Sequence, residues 1–538
     1  MNLSAAIANS LWTASNVPAL IQFRRALKRP AETQLQLLRD YLARNTDSAY
    51  GKTHDFGSIR NYDEFARRVP LTDYGDIEPW IERIRRGESD VLTSDTVTHL
   101  IPTSGSTGAR KLIPFTAGLQ CEFNRAISPW IASLYSRHPS VALGTAYWSI
   151  SPALQIQDTE PSAVPIGFED DSSYLGGAKK RLVNSVMAVP SELRQVSDME
   201  QFRYLTLLCL LRQHDLRLIS IWHPSFLSLL LDALPTCWES LLQDIEQGTC
   251  RYSGSLPPTS IQVLKWRPMP RRERQLRDAN WTKPETFWPH LKIISCWGDG
   301  HAKFAKAELE RRFPSTFIQS KGLIATECVV TIPFSGLCPL AVNSHFFEFI
   351  DGQGRICLAQ ELKKNEIYEV VVTTGGGFWR YRLQDQVEVT GFVGKTPSLR
   401  FLGRVGNISD RFGEKLSEHF VAQAIQEAIS TISSPLFVMF APDEDHSGCC
   451  YTLYIEGDVT NGITARLDTS LCRNPHYAWC RKTGQLQPLR LFRIKTAGYK
   501  IFVAREQSRG KRLGEVKPCC ISKENGWSHH FQGEYLCH

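Results

Sequence analysis

Short apolar runs alternate with helix-period patterns through the first 400 or so residues. Leu291 to Trp297 reads as a strand, Ala302 to Phe313 as a helix, and Phe317 to Gly322 as a strand again. Glu366 to Thr374 is a further β-branched run, closed by Gly375-Gly376-Gly377. Such alternation predicts an α/β fold in which helices cover the sheets. The opening stretch, Met1 to Arg29, predicts an amphipathic helix laid over the core. Its cationic residues Arg24, Arg25, Lys28 and Arg29 follow the apolar part, the reverse of a secretory leader.

Beyond Gly403 the pattern changes. A helix is predicted over Glu418 to Ile432, with strands near Leu436 to Phe440 and Cys450 to Ile455. These elements describe a small α+β domain over 414–538, behind a large domain over 1–402. Residues 403–413 hold Gly403, Gly406 and Gly413 without strong periodicity, and are the expected hinge.

Length and composition agree with two domains. The chain has 538 residues, too many for one ordinary core, and 42% hydrophobic with 22% charged residues is a globular balance. No apolar run approaches the ~18 residues of a membrane helix; the richest, Tyr204 to Leu211, stops at Arg212. Neither a membrane nor a nucleic-acid partner is expected: the net charge of +7 is modest, and Arg271, Arg272 and Arg274 are interleaved with Glu273. Fifteen cysteines contain no CxxC, so reduced, mostly buried thiols and a cytoplasmic location are expected. The adjacent His529 and His530 make a poor metal site.

The strongest local signal is Thr103-Ser104-Gly105-Ser106-Thr107-Gly108-Ala109-Arg110-Lys111, between the apolar run His99 to Pro102 and a helical pattern from Ala117. Glycines let backbone N–H groups turn onto an anion, Ser104, Ser106 and Thr107 add hydroxyl donors, and Lys111 adds charge. The spacing GxxGxxK is not that of a Walker loop. Alone, the segment shows anion affinity or a plain flexible loop.

Four more segments join it. Cys296-Trp297-Gly298-Asp299-Gly300 ends a strand in a turn where a flat base could lie on the backbone. Leu323-Ile324-Ala325-Thr326-Glu327 places a hydroxyl and a carboxylate at another strand end, suited to phosphate and Mg²⁺. Tyr381-Arg382-Leu383-Gln384-Asp385 offers an acid to ribose hydroxyls, and Gly510 to Lys517 carries a late lysine in a glycine-bracketed turn. Singly, Glu327 and Asp385 read equally well as surface or cap acids and Lys517 as a solvated charge. Their joint order is harder to dismiss.

That order resembles the adenylate-forming ligases, and more closely the Gretchen Hagen acyl-acid amido synthetases of plants and their bacterial relatives. The likeness runs from Tyr50-Gly51 and Val69 to Tyr74, through Ile81 to Ile84, Thr103 to Pro114, Phe346 to Phe349 and Tyr381 to Phe392, to Leu513 to Lys517. Lys321 to Glu327 is similar to the bacterial branch. The resemblance implies a large N-terminal domain of β-barrel and helix-covered sheets with a small mobile C-terminal domain. It implies that Ser106 and Thr107 hold phosphates, Glu327 binds Mg²⁺, Asp385 holds the ribose and Lys517 approaches the reacting phosphate. Ser104, Gly105, Gly108, Gly298, Asp299, Leu323, Ala325, Thr326 and Arg404 are the further ATP contacts expected, and Lys111 the second catalytic lysine. Two positions depart from the pattern. Leu323 replaces the aromatic that stacks on adenine, and Gly403-Arg404-Val405 leads to Gly406 where the wider superfamily often has a hinge aspartate.

The chemistry implied is attack of a carboxylate on the α-phosphorus of ATP, then transfer of the acyl group to an amine or amino acid. CoA or a carrier protein is the alternative acceptor. Tyr147, Trp148, Trp222 and His223 are candidates for an acyl pocket, with core packing at least as good a reading of each. His301 and His345 read as structural. A monomer is expected.

Overall fold

The computed structural model describes residues 3–103, 111–149, 162–167, 177–196, 198–252, 267–300, 302–405, 408–409, 411–430, 435–445, 448–509, 516 and 519–536. Ser104, Gly105, Ser106, Thr107, Gly108, His301 and Lys517 lie outside these.

The strands are β1 (Val97–Thr103), β2 (Lys111–Thr116), β3 (Thr145–Trp148), β4 (Leu216–Ser220), β5 (Ile293–Cys296), β6 (Phe317–Ser320), β7 (Phe346–Ile350), β8 (Ile356–Leu358), β9 (Ile367–Thr373), β10 (Tyr381–Val393) and β11 (Thr396–Arg404). Then follow β12 (Ile408–Ser409), β13 (Leu416–Ser417), β14 (Phe437–Asp445), β15 (Gly448–Glu456), β16 (Arg490–Ile494) and β17 (Gly533–Leu536). Strands β3-β4-β5-β6 form a parallel sheet in that order. Helices Met199–Arg212 and Leu234–Gln247 cover it, and Leu205, Leu208, Leu241 and Ile245 pack on Ile219 and Ile294 without exposure. Burying each such side chain contributes about 1.5–3 kcal/mol, which is why the apolar runs and helical patterns of this region alternate.

The component expected as a barrel is an antiparallel five-stranded sheet in the order β11-β10-β9-β7-β8. β1 and β2 form a separate antiparallel ribbon whose last pair is Thr103 with Lys111. The chain therefore leaves and re-enters at one end of this ribbon, so the predicted anion loop joins two paired positions. Helix Ala117–Arg137 follows at once, its first turn capped by Thr116, whose side chain accepts from the Leu119 amide at 3.1 Å.

Residues after Leu416 build their own cores around the mixed sheet β14-β15-β16-β17. Helix Glu418–Ala428, capped by Ser417, packs Val421 and Ile425 beneath it and ends short of the expected Ile432.

The first helix, Leu3–Ala26, differs from expectation. It buries Trp12, Leu20 and Phe23, yet leaves Leu3, Ile7 and Leu11 more than half exposed. It is apolar on both faces and covers the core with only one of them. No helix among the described residues is long and apolar enough to cross a membrane, and no described cysteine is disulfide-bonded.

Candidate active site

Ligands of open α/β sheets sit beyond the carboxyl ends of the parallel strands. Here those ends lead into Trp222-His223, Trp297-Gly298-Asp299 and Lys321-Gly322. The Trp297 amide donates to the Trp222 carbonyl at 2.8 Å, and that of Lys321 to the Cys296 carbonyl at 2.9 Å. This lacing sets the Trp222 and Trp297 rings 5.7 Å apart, with Lys321 Nζ 4.6 Å from the Trp222 ring centre. Gly298 is required by space: a Cβ there would stand 2.1 Å from Ser320 Oγ.

After β6 the chain folds back on itself. Gly322 has φ +81°, and a Cβ on it would meet Thr331 at 2.7 Å. The Leu323 amide donates to Thr331 Oγ1 at 2.8 Å, and that of Ala325 to the Cys328 carbonyl at 2.9 Å. Leu323, Ala325 and Thr326 are half-buried along this turn, and Glu327 beside its tip is 7% exposed. Burial pushes the Glu327 carboxyl above the usual carboxylate range, against the pull of Arg404 and Lys111.

The first half of β10 supplies the other side. Thr72 pairs with Tyr381, which draws the segment Thr72-Asp73-Tyr74 against β10. Gln384 takes φ +61° where the register between Arg382 and Gln386 shifts. Asp385 follows, 5% exposed, and accepts from Arg404 Nε at 3.2 Å. Lys111, first residue of β2, places Nζ 3.3 Å from Tyr381 Oη and 5.5 Å from the Tyr74 ring centre, while Tyr74 Oη accepts from the Leu112 amide at 2.7 Å. Burial pulls the Lys111 ammonium below its ordinary value. The field of Glu327 opposes this most, with Asp73 and Asp385 adding to it and Arg404 working against it.

Lys111, Glu327, Asp385 and Arg404 thus lie within reach of one another's charge, with Arg404 bonded to Asp385 and Lys111 to Tyr381. Asp299 stands a little apart, over β11: burial raises its carboxyl, while Arg400, Lys306 and the Phe401 amide favour its charged form. Gly300 lies against Phe401 and Leu402, two residues from Arg404.

The four acyl-pocket candidates do not share one environment. Tyr147 has no exposure and packs in the core of the parallel sheet. Trp148 leans on Trp12 of the first helix at 5.8 Å. His223 caps helix Pro224–Leu231 and stacks on Tyr499 of the C-terminal region at 6.0 Å. Trp222 alone of the four joins the aromatic wall at the strand ends. Sequence reasoning did not single out Trp297, Lys321, Tyr74 or Tyr381. All four stood inside quoted motifs, but none carries a local signal of its own that would assign it a role.

Comparison with known proteins gives the same order of parts. An indole-3-acetic acid-amido synthetase of Arabidopsis thaliana is 25% identical over 79% of this chain and 76% of its own. A probable indole-3-acetic acid-amido synthetase of Oryza sativa subsp. japonica is 24% identical over 94% and 93%. The solved structure of AtGH3.15 acyl acid amido synthetase in complex with 2,4-DB covers 95% of both chains with a TM-score of 0.84 at 19% identity, and shares the fold. The GH3 family N-terminal domain matches residues 19–318, the central domain 338–404 and the C-terminal domain 418–526, and the chain belongs to the GH3 family.

Proposed function

We propose that this protein is an ATP-dependent acid–amine ligase: it converts a carboxylic acid to its acyl adenylate and passes the acyl group to an amine, forming an amide and releasing AMP. The observation that carries the reading is the meeting of Lys111, Glu327, Asp385 and Arg404 beside the end of the β1–β2 ribbon, where the Ser104 to Gly108 loop departs.

In the first step a carboxylate oxygen bonds to the α-phosphorus and the bond to the β-phosphate breaks, so pyrophosphate leaves with its electron pair. Two anions must meet, and a fixed cationic field lowers that barrier without solvent reorganisation. Lys111, half out of water beside Tyr381, supplies one such charge, and Lys517 is assigned the other. Asp385, held by Arg404, is assigned to the ribose hydroxyls, and Leu323, Ala325 and Thr326 to the base and phosphates. The buried carboxyl of Glu327 is a hard oxygen ligand whose charged form gains from a neighbouring cation, which fits Mg²⁺. A magnesium ion there would add positive charge against the triphosphate. In the second step a neutral amine bonds to the acyl carbon, AMP departs, and the amine gives up its proton.

The relatives are named for an indole acid and amide formation. The Trp222–Trp297 wall with Lys321 suits a flat aromatic acid, and an amino acid is the proposed acceptor. Residues 403–413 are assigned as the hinge between 1–402 and 414–538.

Pyrophosphate release over a panel of acids, then product mass with amino acids or CoA, tests the reading. Amide products and a loss of adenylation by orders of magnitude in Lys517→Ala and Glu327→Ala are expected. Near-normal pyrophosphate release from both variants, or CoA thioesters as the only products, would overturn it.

A further inference from the structure

We propose that His214, Asp215 and His290 form a binding site for a divalent transition-metal ion, at the amino ends of the central parallel strands and away from the nucleotide site. Asp215 and His214 occupy the turn between helix Met199–Arg212 and β4, and His290 the turn that leads into β5. Both turns stand at the amino ends of parallel strands, whereas Trp222, Gly298 and Lys321 follow the carboxyl ends.

The donor atoms of the three side chains all lie within 4.8 Å of one another, and no other such group of His, Cys, Asp or Glu occurs among the described residues. His214 Nδ1 and His290 Nε2 each stand 3.9 Å from the same oxygen, Asp215 Oδ1. Bonds of about 2.0–2.1 Å to a tetrahedral ion put neighbouring donors about 3.4 Å apart, so small side-chain rotations close the set. The imidazole rings are 5.0 Å apart and meet edge to face at 76°, an ordinary aromatic packing that also leaves one nitrogen of each ring 3.9 Å from the carboxylate. Two imidazoles and one carboxylate select Zn²⁺, Co²⁺ or Ni²⁺ over Mg²⁺ or Ca²⁺, and leave a fourth position for water.

The backbone is already fixed. The Asp215 carbonyl accepts from the Thr145 amide at 2.9 Å, and the Lys292 amide donates to the Arg217 carbonyl at 3.0 Å. Ligands on a preformed frame lose little freedom on binding. Cationic groups oppose the ion: Arg272 and Arg217 both act on His214, and the nearest to the carboxylate, Arg217, places Nη2 3.5 Å from Asp215 Oδ1. The site should therefore bind moderately and tighten when that cation is removed.

Co²⁺ titration of tag-free protein, followed by visible absorption and calorimetry, tests this. Wild type is expected to give one site with nitrogen/oxygen ligand-field bands and no cobalt–thiolate charge transfer. His214→Gln and His290→Gln should each weaken binding by about tenfold or more, since even outer partners of a metal site cost 10–100-fold. Arg217→Gln should strengthen it several-fold, and pyrophosphate release, unchanged in the histidine variants, shows that they fold. A thiolate band, no signal with metal in large excess, or equal affinity in wild type and both histidine variants would overturn the site.

Discussion

Glu122 accepts a hydrogen bond from Nδ1 of His345 at 2.8 Å, and neither side chain has any exposure. The other nitrogen of that ring, Nε2, accepts from the Val329 amide at 3.2 Å, so the ring proton belongs on Nδ1. Val329 is two residues beyond Glu327. The same carboxylate also accepts from Tyr41 Oη at 2.6 Å and from the Gly375 amide at 2.9 Å. One buried acid on helix Ala117–Arg137 thereby ties helix Pro30–Arg44, which carries Tyr41, the turn just after β9 and the turn that carries Glu327.

Glu122→Ala would leave these donors buried without an acceptor. We expect a loss of about 3–5 kcal/mol, the cost of breaking a buried charged network, read as a lower urea midpoint. His345→Gln should lower the adenylation rate more than it lowers stability, because it frees the Glu327 turn.

Glu327→Gln is expected to cut pyrophosphate release by orders of magnitude while making the unliganded protein more stable at neutral pH. Burial raises the folded-state pKa of Glu327 above its unfolded value. The folded chain therefore binds more proton above the ordinary carboxylate range, and its stability falls as pH rises through that window. The gain in Tm from Glu327→Gln should be present at neutral pH and vanish in acid below that range.

Asp385→Asn weakens the contact to Arg404 and the proposed ribose acceptor together. A charge-assisted hydrogen bond is worth about 1.5–3 kcal/mol, so KM for ATP should rise about tenfold or more in steady-state assays. An unchanged KM would remove Asp385 from the nucleotide site.

Gly298→Ala puts a methyl where Ser320 Oγ already lies. Overpacking of this kind costs about 1–3 kcal/mol, and Ser320→Gly should recover much of the stability and ATP affinity. Additive losses in the double variant would show that the two positions do not touch.

The sequence was most legible where function is written in contiguous segments. β5, helix Ala302–Arg312, β6 and the turn to Glu327 follow the expected pattern, because each apolar run ends at a turn that its own glycines mark. The meeting of Lys111 with Glu327, Asp385 and Arg404 was legible only as an order of motifs. Glu122 was not legible at all: it is a single acid in a helix, and its partner His345 lies 223 positions away. His223 read as a pocket residue because nothing near it announces Tyr499. The first helix read as amphipathic because its exposed Leu3, Ile7 and Leu11 are indistinguishable, in composition, from the side that packs.

The interior cores up to Leu399 and those from Leu416 onward share no residue. Each half thus has an interior of its own, and we expect heating to produce a stepwise calorimetric profile instead of one all-or-none peak. A damaging lesion in one half would spare the architecture of its neighbour, and chimeras that exchange the C-terminal piece between relatives should retain two ordered parts.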